Sequence, residues 1–169
     1  MKHFCYISIG SNIGDRLNFI KKSLEFLKDE KLIIDKVSSL YKCQSWGFVG
    51  NSFFNICVKI KTNYNPDQLL KKLKQIENKL GRLDIKNHNS YNSRTIDLDI
   101  LFYDNLIVDK KKLTIPHPRV ELRNFVLFPL REISRNLVHP ISGRTIDEII
   151  DLKKDKLLVE KTELCIYEL

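Results

Sequence analysis

Two aspartates stand at alternate positions of a β-rich run, where Asp97 and Asp99 are separated only by Leu98. In an extended strand, residues two apart project from one face at a separation of roughly 7 Å. Two carboxylates that close repel each other unless a cation lies between them or water surrounds them. Mg²⁺ commonly takes one or two protein carboxylates and leaves its other positions to water and substrate phosphates. The pair therefore indicates a magnesium site that faces a phosphate-containing ligand.

The residues before the pair bear on whether it is a site or an ordinary acidic surface. A bare Asp-x-Asp on a strand is more often a solvent-exposed face, since aspartate is common at surfaces. Here Arg94 stands three residues before Asp97, and its planar guanidinium is suited to phosphates. A loop rich in Asn, His, Lys and Arg leads up to it. These neighbours favour the site.

The composition is that of a globular domain with an anionic partner. The 169 residues are 43% hydrophobic and 30% charged, which predicts a single domain over residues 1–169. The formal net charge of +8 favours nucleic acid, a membrane surface or a small polyphosphate as the partner. Charge alone does not choose among these three.

The cysteines and the hydropathy pattern bear on location. Cys5, Cys43, Cys57 and Cys165 are scattered without a Cys-x-x-Cys spacing, which predicts reduced thiols rather than a zinc site or a disulfide framework. The first residues lack the pattern of a signal peptide, and no apolar run approaches the length of a membrane span. We therefore expect a cytoplasmic protein without a membrane partner.

The run with the two aspartates is the last strand in a regular order of elements. A short strand over residues 4–9 is followed by a helix of about 14 residues ending near Asp29. β-Branched residues return over 32–42, alternation marks a third strand over 52–61, and a second helix follows. The order β-α-β-β-α-β predicts an α+β, ferredoxin-like fold: an antiparallel sheet with helices on one face, the other face open for a ligand, and C-terminal additions.

The second helix carries signals at both ends. Asn65 before Pro66, with Gln68 three residues after the asparagine, predicts a capping box with proline at the first helical position. Gly81 is the residue expected just past the C-terminus.

The third and last strands each present two different faces. In the third strand, Phe53 and Asn55 could offer stacking and bidentate hydrogen bonds to a flat polar ring. A phenylalanine under a loop beside a satisfied asparagine is an equal alternative. The side chains predicted to face the core are Phe54, Ile56, Val58 and Ile60 of the third strand and Ile96, Leu98, Ile100 and Phe102 of the last. Those predicted to share the aspartates' face are Leu101 and Tyr103.

Smaller elements are expected after the last strand. Residues 106–108 are expected to pair back as a hairpin strand, and residues 119–134 to be helical with a break near Pro129. Thr145 is expected to begin a short capped helix, and the tail from Lys156 to add an edge strand.

The sequence does not decide whether two basic stretches in this region belong to a binding site. The run of lysines at 110–112 is more typical of a solvated turn than of a phosphate contact. His117 stands between Pro116 and Pro118, close in sequence to Arg119 and Arg123, and a structural role and a site role are equally favoured.

Taken together, these motifs resemble the 6-hydroxymethyl-7,8-dihydropterin pyrophosphokinase family. The resemblance runs from residue 10 to at least Pro129, and its most specific segment is Arg94-Thr95-Ile96-Asp97-Leu98-Asp99-Ile100-Leu101. The supporting segments are Gly10-Ser11-Asn12-Ile13-Gly14-Asp15-Arg16, Trp46-Gly47-Phe48, Phe53-Phe54-Asn55, Glu77 with Gly81-Arg82, and Thr114-Ile115-Pro116-His117 with Arg123 and Phe125.

The resemblance implies an activity and a role for each matched position. The activity is transfer of pyrophosphate from ATP to the pterin's hydroxymethyl group, with release of AMP, in folate biosynthesis. Two Mg²⁺ ions are expected on Asp97 and Asp99. The implied catalytic residues are Arg82, Arg94, Asp97 and Asp99; the implied pterin-binding residues are Cys43, through nearby backbone, Trp46, Phe53, Asn55 and Phe125; the implied ATP-binding residues are Glu77, Ile100, Lys112, Thr114, His117 and Arg123.

The sequence departs from the family pattern in the loop before the last strand and after the histidine. Asp84 stands where an arginine is usual, and Lys86 or His88 is a candidate to compensate for that lost cation. Tyr91-Asn92-Ser93 replaces a commoner Trp-Gly-Pro, and Pro118 replaces an aromatic or polar residue. We expect loops 44–51 and 82–92 to act as lids.

Two alternatives remain. An RNA-recognition module shares the element order and basic charge, but the third strand lacks the expected Lys/Arg-Gly-Phe/Tyr signature. A catalytically inactive relative rests only on Asp84 and Ser93. The favoured interpretation is a monomeric enzyme that binds ATP and 6-hydroxymethyl-7,8-dihydropterin and no nucleic acid.

Overall fold

A computed structural model of the protein describes residues 2–82 and 93–166. The elements in chain order are β1 (His3–Ser11), α1 (Arg16–Asp29), β2 (Ile33–Val37), β3 (Tyr41–Cys43), β4 (Phe53–Thr62), α2 (Pro66–Lys79), β5 (Asp97–Tyr103), β6 (Val108–Lys110), β7 (Leu113–Ile115), a 3₁₀ turn (Val120–Leu122), α3 (Asn124–Ser134), α4 (Ile146–Asp151) and β8 (Val159–Lys161).

The main sheet is antiparallel, with the strand order β5-β1-β4-β3-β8 and with β2 also paired to β4. The predicted ferredoxin-like order is confirmed. The single strand expected over residues 32–42 is instead two strands, β2 and β3, which pair one after the other with β4. The buried hydroxyl of Ser38 explains the break, because it accepts the Cys57 amide at 2.9 Å where a regular ladder would use a backbone carbonyl.

Helices α1 and α2 pack against one face of this sheet, where they bury the apolar residues predicted for the core. α2 begins as its sequence predicts: Asn65 Oδ1 accepts the Gln68 amide at 2.9 Å, and Gln68 Oε1 accepts the Asn65 amide at 3.0 Å. Gly81 follows the helix with φ of +80°, a conformation that glycine adopts without strain. The shared core includes Ile7, Ile9, Leu24, Leu27, Ile56, Ile60, Leu69, Leu73, Ile76 and Leu98.

The opposite face is only partly open, so the expectation of a helix-free face is wrong. α3 and α4 cover half of it with a second apolar cluster built on Tyr6, Cys57 and Phe102. The half near the end of β1, around Gly10, stays uncovered. The small or apolar side chains of the covered half allow it to be buried, whereas Asn55, Asp97 and Asp99 lie toward the open half.

A β-bulge places Phe102 and Tyr103 of the last strand on the faces opposite to those predicted. β1 and β5 lose register between Tyr6, opposite Phe102, and Ile7, opposite Ile100, which leaves Leu101 as the extra residue. After the bulge the alternation is reversed, so Phe102 joins the second cluster and Tyr103 joins the main core. The two aspartates precede the bulge and keep their predicted face.

Two further expectations in the C-terminal part are wrong. Residues 106–108 do not pair with β5; β6 and β7 pair with each other, and lysines 111 and 112 lie in the turn between them. The helix is interrupted at Arg123, whose backbone is extended, and not at Pro129, which is buried inside α3. Pro129 is the sixth of the eleven residues of α3, where it removes one backbone hydrogen bond, yet the helix continues to Ser134.

Two other expectations for this part, the capped helix at Thr145 and an edge strand in the tail, are confirmed. Thr145 and Glu148 form a reciprocal capping box at the start of α4. β8 pairs antiparallel with β3 as an edge strand. Cys5, Cys43 and Cys57 are buried thiols, and Cys165 is exposed. Over the described residues, no helix is long and apolar enough to cross a bilayer.

Candidate active site

An open cleft lies on the uncovered half of the sheet, where β1 ends and where β4 and β5 begin. Its empty space, including the open mouth, is about 570 Å³. The cleft is lined by Ser8, Gly10, Cys43, Gln44, Trp46, Phe48, Phe53, Asn55, Arg94, Asp97, Asp99, Arg123 and Phe125. All the residues predicted for the pterin side are in this set, together with both aspartates.

Asp97 is held by two arginines that arrive from different segments. Arg82 Nη1 donates to Asp97 Oδ1 at 2.5 Å, and Arg94 Nη1 donates to Oδ2 at 2.6 Å. Burial would raise the pKa of Asp97, but the guanidiniums of Arg94 and Arg82 outweigh burial and hold that pKa below its ordinary value. Asp97 is therefore a carboxylate that gathers two cations at one wall of the cleft.

Asp99 has a different environment although it shares the same face. Burial raises its pKa, and the negative charge of Asp97 raises it further. His117 Nε2 stands 4.0 Å from Asp99 Oδ2. A bound cation would relieve the repulsion between the two carboxylates, which is the chemistry expected of a magnesium site.

The donor set fits magnesium better than zinc. Within residues 2–82 and 93–166 there is no cluster of three or more His, Cys, Asp and Glu side chains that could hold a metal. Structural zinc sites use four such ligands, and catalytic zinc sites use three. Mg²⁺ needs only one or two carboxylates when water and phosphates complete its shell. Asp97 and Asp99 meet that smaller requirement.

Glu77 lies beneath β5 and outside the cleft lining. Its side chain is only 1% exposed, accepts the Leu98 amide at 2.8 Å, and pairs with Lys74 Nζ at 2.8 Å and with Arg82. Burial raises the pKa of Glu77. Because Arg82 also binds Asp97, the geometry makes Glu77 a group that orients Arg82 toward the cleft.

Asn55 forms the floor of the other end of the cleft. Its amide Nδ2 lies 3.3 Å from the Cys43 sulfur, and burial raises the pKa of that thiol to about 12. The oxygen Oδ1 lies so near Gly10 that a Cβ there would approach it to 2.8 Å. Gly10, which sequence reasoning did not single out as a site residue, leaves the space that this carboxamide occupies.

Aromatic rings form the walls above Asn55. Phe48 meets the Phe53 ring edge-on, with the centroids 6.2 Å apart, and Trp46 meets Phe125 at 6.5 Å. The Arg123 guanidinium lies over Trp46 and Phe125, at 5.1 and 5.5 Å from their centroids. A flat, polar-edged ring could stack between such walls while its edge meets Asn55.

Asn12, which sequence reasoning did not propose for the site, ties its loops together. This fully buried side chain accepts the Arg94 amide at 2.7 Å and donates to Ser93 Oγ at 3.0 Å and to the Asn51 carbonyl at 3.4 Å. The only sequence signal for this role was its place within the segment 10–16, which carries part of the family resemblance.

Besides Glu77, four other predicted ATP-side residues lie outside the cleft lining. Ile100 is buried in the core, Thr114 is half-buried on β7, and Lys112 is exposed in the β6–β7 turn. The His117 amide donates to the Leu101 carbonyl at 2.9 Å, which fixes this histidine beside β5. Asp84, Lys86, His88, Tyr91 and Asn92 lie outside the described residues, and with them most of the predicted lid over 82–92.

The comparisons with known proteins agree on one family. Residues 6–135 match the family described as 7,8-dihydro-6-hydroxymethylpterin-pyrophosphokinase (HPPK). A 2-amino-4-hydroxy-6-hydroxymethyldihydropteridine pyrophosphokinase of Aquifex aeolicus is 40% identical over 144 residues, which are 85% of this chain and 88% of the relative. The enzyme with the same name from Bacillus subtilis is 37% identical over 150 residues, covering 88% of each chain.

Other relatives are longer chains. The folic acid synthesis protein fol1 of Pneumocystis carinii is 41% identical over 151 residues, which are 86% of this chain but only 20% of that protein. A crystal structure of Plasmodium falciparum HPPK-DHPS A437G with pteroate has a TM-score of 0.73 at 15% identity, over 90% of this chain and 41% of that one. This last likeness shows the fold.

Proposed function

Because the chain belongs to the 7,8-dihydro-6-hydroxymethylpterin-pyrophosphokinase family, we propose that the cleft described above is where it carries out that family's reaction. The reaction is transfer of pyrophosphate from ATP to the hydroxymethyl group of 6-hydroxymethyl-7,8-dihydropterin, with release of AMP, in folate biosynthesis. One observation supports this assignment most: Asp97, with its two arginines, faces the same cleft as Asn55 and its aromatic walls.

The pterin end is the part built from Asn55, Phe53 and Phe125. We propose that the Asn55 carboxamide and the backbone near Cys43 bind the amide edge of the pterin, while the rings of Phe53 and Phe125 stack on its faces. Trp46 would cover the bound ring from loop 44–51. This arrangement directs the hydroxymethyl group toward the aspartate end.

The phosphate end is the part built from the two aspartates and the arginines. Two Mg²⁺ ions on Asp97 and Asp99 are proposed; when bound, they would neutralise phosphate charge and lower the pKa of the acceptor hydroxyl. Arg82 and Arg94 already lie against Asp97 and would turn to the phosphate oxygens when ATP enters. Arg123, half-buried beside the same cleft, adds a third cation.

The bond changes follow from these positions. The hydroxyl oxygen of the pterin attacks the β-phosphorus in line, the bond from that phosphorus to the oxygen bridging it to the α-phosphate breaks, and AMP leaves. The hydroxyl proton passes to solvent. Arg82 and Arg94 stabilise the charge that develops on the leaving oxygen, and the aromatic walls exclude water that would hydrolyse ATP.

The rest of the nucleotide is proposed to lie along β5 and β7, beyond Asp99. Ile100, Lys112, Thr114 and His117 lie on or beside these strands, and Glu77 is assigned to this side through its hold on Arg82. We propose that loops 44–51 and 82–92 close over both substrates. Equal proteolytic sensitivity of these loops with and without Mg²⁺, a non-hydrolysable ATP analogue and pterin would contradict closure.

The domain organisation, cellular location, oligomeric state and partners of the enzyme are also proposals. We propose that residues 1–169 act as one domain, as a cytoplasmic monomer, without a nucleic-acid partner. The RNA-binding alternative is not favoured, because residues 6–135 match the pyrophosphokinase family and the third strand lacks the Lys/Arg-Gly-Phe/Tyr signature of an RNA-recognition module.

The assignment is tested by product analysis. Purified protein incubated with ATP, 6-hydroxymethyl-7,8-dihydropterin and Mg²⁺ should release AMP in equal amount to a pyrophosphorylated pterin, and addition of EDTA should stop both. Formation of ADP would mean single-phosphoryl transfer, and absence of pterin-dependent turnover would support an inactive relative.

A further inference from the structure

Helix α3 begins between two residues of the site and lacks a side-chain cap of its own. Arg123 occupies the N-cap position and its side chain makes no capping hydrogen bond. The first amide of the helix, that of Asn124, donates instead to Asp155 Oδ2 at 2.8 Å. A carboxylate there satisfies an otherwise unpaired amide and interacts favourably with the positive end of the helix. The cap is therefore supplied from 31 residues further along the chain.

The contact is reciprocal, which distinguishes it from a single surface hydrogen bond. Asn124 Nδ2 donates to the backbone carbonyls of Asp155 and Leu157, at 3.1 and 3.3 Å. The second oxygen of Asp155 accepts the Leu157 amide at 2.9 Å. Asp155 Oδ2 and Asn124 Nδ2 thus join one turn of the C-terminal segment to the start of α3, and Asp155 Oδ1 closes that turn on itself.

The residues on either side of Asn124 both line the cleft. Arg123 precedes it with an extended backbone, and Phe125 follows it in the first turn of α3. The Arg123 guanidinium lies 5.5 Å from the Phe125 ring centroid and 5.1 Å from that of Trp46. The directions of these side chains depend on where α3 begins, and the bonds to Asn124 fix that point.

The C-terminal segment continues from this turn to the other wall of the cleft. Val159 of β8 pairs with Cys43 of β3, the strand that ends at the cleft beside Asn55. The charge of Asp155 also contributes to the raised pKa of the Cys43 thiol, after the larger effect of burial, so the carboxylate lies near this wall as well. One segment therefore braces both sides of the proposed pterin slot.

We propose that Asp155 is a positioning residue for the pyrophosphoryl transfer: by capping α3 at Asn124 it holds Arg123 and Phe125 in the orientations that bind the two substrates. Asp155 touches neither substrate and acts only through Asn124. This role rests on the proposed function of the cleft, and it assigns a catalytic purpose to the C-terminal segment that follows α4.

The experiment compares Asp155→Ala and Asp155→Asn with Glu160→Gln, which neutralises an exposed carboxylate on the neighbouring strand β8. For Asp155→Ala the KM for the pterin and the KM for ATP should each rise about five- to tenfold, the size expected for a lost helix cap, with a smaller change in kcat. Asp155→Asn keeps one acceptor oxygen and should recover part of that loss. Glu160→Gln should match the unmodified protein.

A second readout needs no substrate. Trp46 is the single tryptophan of the chain and packs against Phe125 and Arg123, so its fluorescence reports on that turn. Acrylamide should quench Trp46 more strongly in Asp155→Ala than in Glu160→Gln. Failure of the unmodified protein to turn over the pterin would refute the proposed function, whereas equal quenching and equal KM values in the two variants would refute the role of Asp155.

A third substitution tests the proposal if Asp155→Ala does not fold. Asn124→Ala leaves the helix start to a good helix former and keeps the backbone bond to Asp155, but it removes both side-chain bonds to the C-terminal turn. It should raise both KM values in the same direction as Asp155→Ala at an unchanged far-ultraviolet circular dichroism spectrum. Unchanged KM values in both Asn124→Ala and Asp155→Asn would overturn the proposal.

Discussion

Asn12 Oδ1 accepts a hydrogen bond from the backbone amide of Arg94 at 2.7 Å, and the backbone amide of Asn12 donates to the Arg94 carbonyl at 3.2 Å. The end of β1 is thereby fixed to the residue that places a guanidinium on Asp97. The same side chain reaches the Asn51 carbonyl at the end of the loop that carries Trp46. A buried asparagine therefore connects the pterin-side loop to the phosphate-side arginine.

Asn12→Ala should lower kcat about tenfold or more, because a misdirected Arg94 no longer meets the phosphates in the required geometry. The unfolding free energy should fall by about 1–3 kcal/mol, since the part-buried Arg94 amide loses its acceptor on the buried Asn12 side chain. Steady-state kinetics and urea denaturation measure the two effects. Asn18→Ala, an exposed asparagine on α1, is the matched control, and a kcat equal to that control would contradict the connection.

Asp97→Asn and Asp99→Asn should both lower turnover by roughly 100-fold or more, but only Asp97→Asn should lower stability. Asp97→Asn leaves the Arg82 and Arg94 cations without their shared carboxylate and should destabilise the protein. Asp99→Asn removes a half-buried charge that Asp97 repels and should leave stability equal or higher in metal-free buffer. Thermal melts in EDTA, beside activity assays, check both. Unfolding of both variants would instead mean that these are structural acids.

The sequence is informative about this fold where local chemistry sets the structure. The Asn65 capping box, the glycine at 81 and the alternation along β4 each depend on residues within one element, and each is confirmed. The bulge at Leu101 was not predicted, because it depends on how β5 registers against β1 and that pairing joins distant segments. For the same reason the start of α3 at Asn124 was not predicted, because the Asn124 amide is capped by Asp155, which is distant in sequence.

The candidate site divides in a similar way. Ligand-type residues such as Asp97 and Asn55 could be found from residue type and strand spacing, and the structure brings them to one cleft. The residues that position them could not, because Gly10 acts through the space it leaves and Asn12 through bonds to segments far away in sequence. That Arg82 and Arg94 share Asp97 is also a property of the folded chain.

Gly10→Ala should weaken pterin binding while leaving ATP binding nearly unchanged. The new Cβ would approach Asn55 Oδ1 to 2.8 Å, so the carboxamide must move away from the position proposed to meet the pterin edge. We expect the dissociation constant for the pterin to rise about tenfold or more, as when a polar recognition group is misplaced. Titration calorimetry with each substrate measures this. Gly143→Ala, with open space at its Cβ but a φ of +69°, controls for a general loss of stability, and equal pterin affinity in the two variants would contradict the prediction.

The pH dependence of stability should include a contribution from Glu132, which holds β3 against α3. Its carboxylate accepts the Ser39 amide at 3.1 Å, the Ser39 hydroxyl at 2.8 Å and the Tyr41 hydroxyl at 2.8 Å. Burial raises the pKa of Glu132, but these hydrogen bonds outweigh burial and leave it below the ordinary value. A lowered pKa in the folded state means that the stabilisation is complete above the unfolded value, near pH 4.3, and is lost as the pH falls through the lower folded value.

Glu132→Gln should therefore be less stable than the unmodified protein at pH 7, by about 1 kcal/mol, because the charge-assisted hydrogen bonds become neutral ones and the site is partly screened by solvent. The difference should shrink as the pH is lowered below 4, where the native carboxyl also becomes protonated. Urea denaturation across this pH range measures it. Glu163→Gln, an exposed glutamate near the C-terminus, is the control, and a difference for Glu132→Gln that stays constant down to pH 3 would show that its charge does not stabilise the fold.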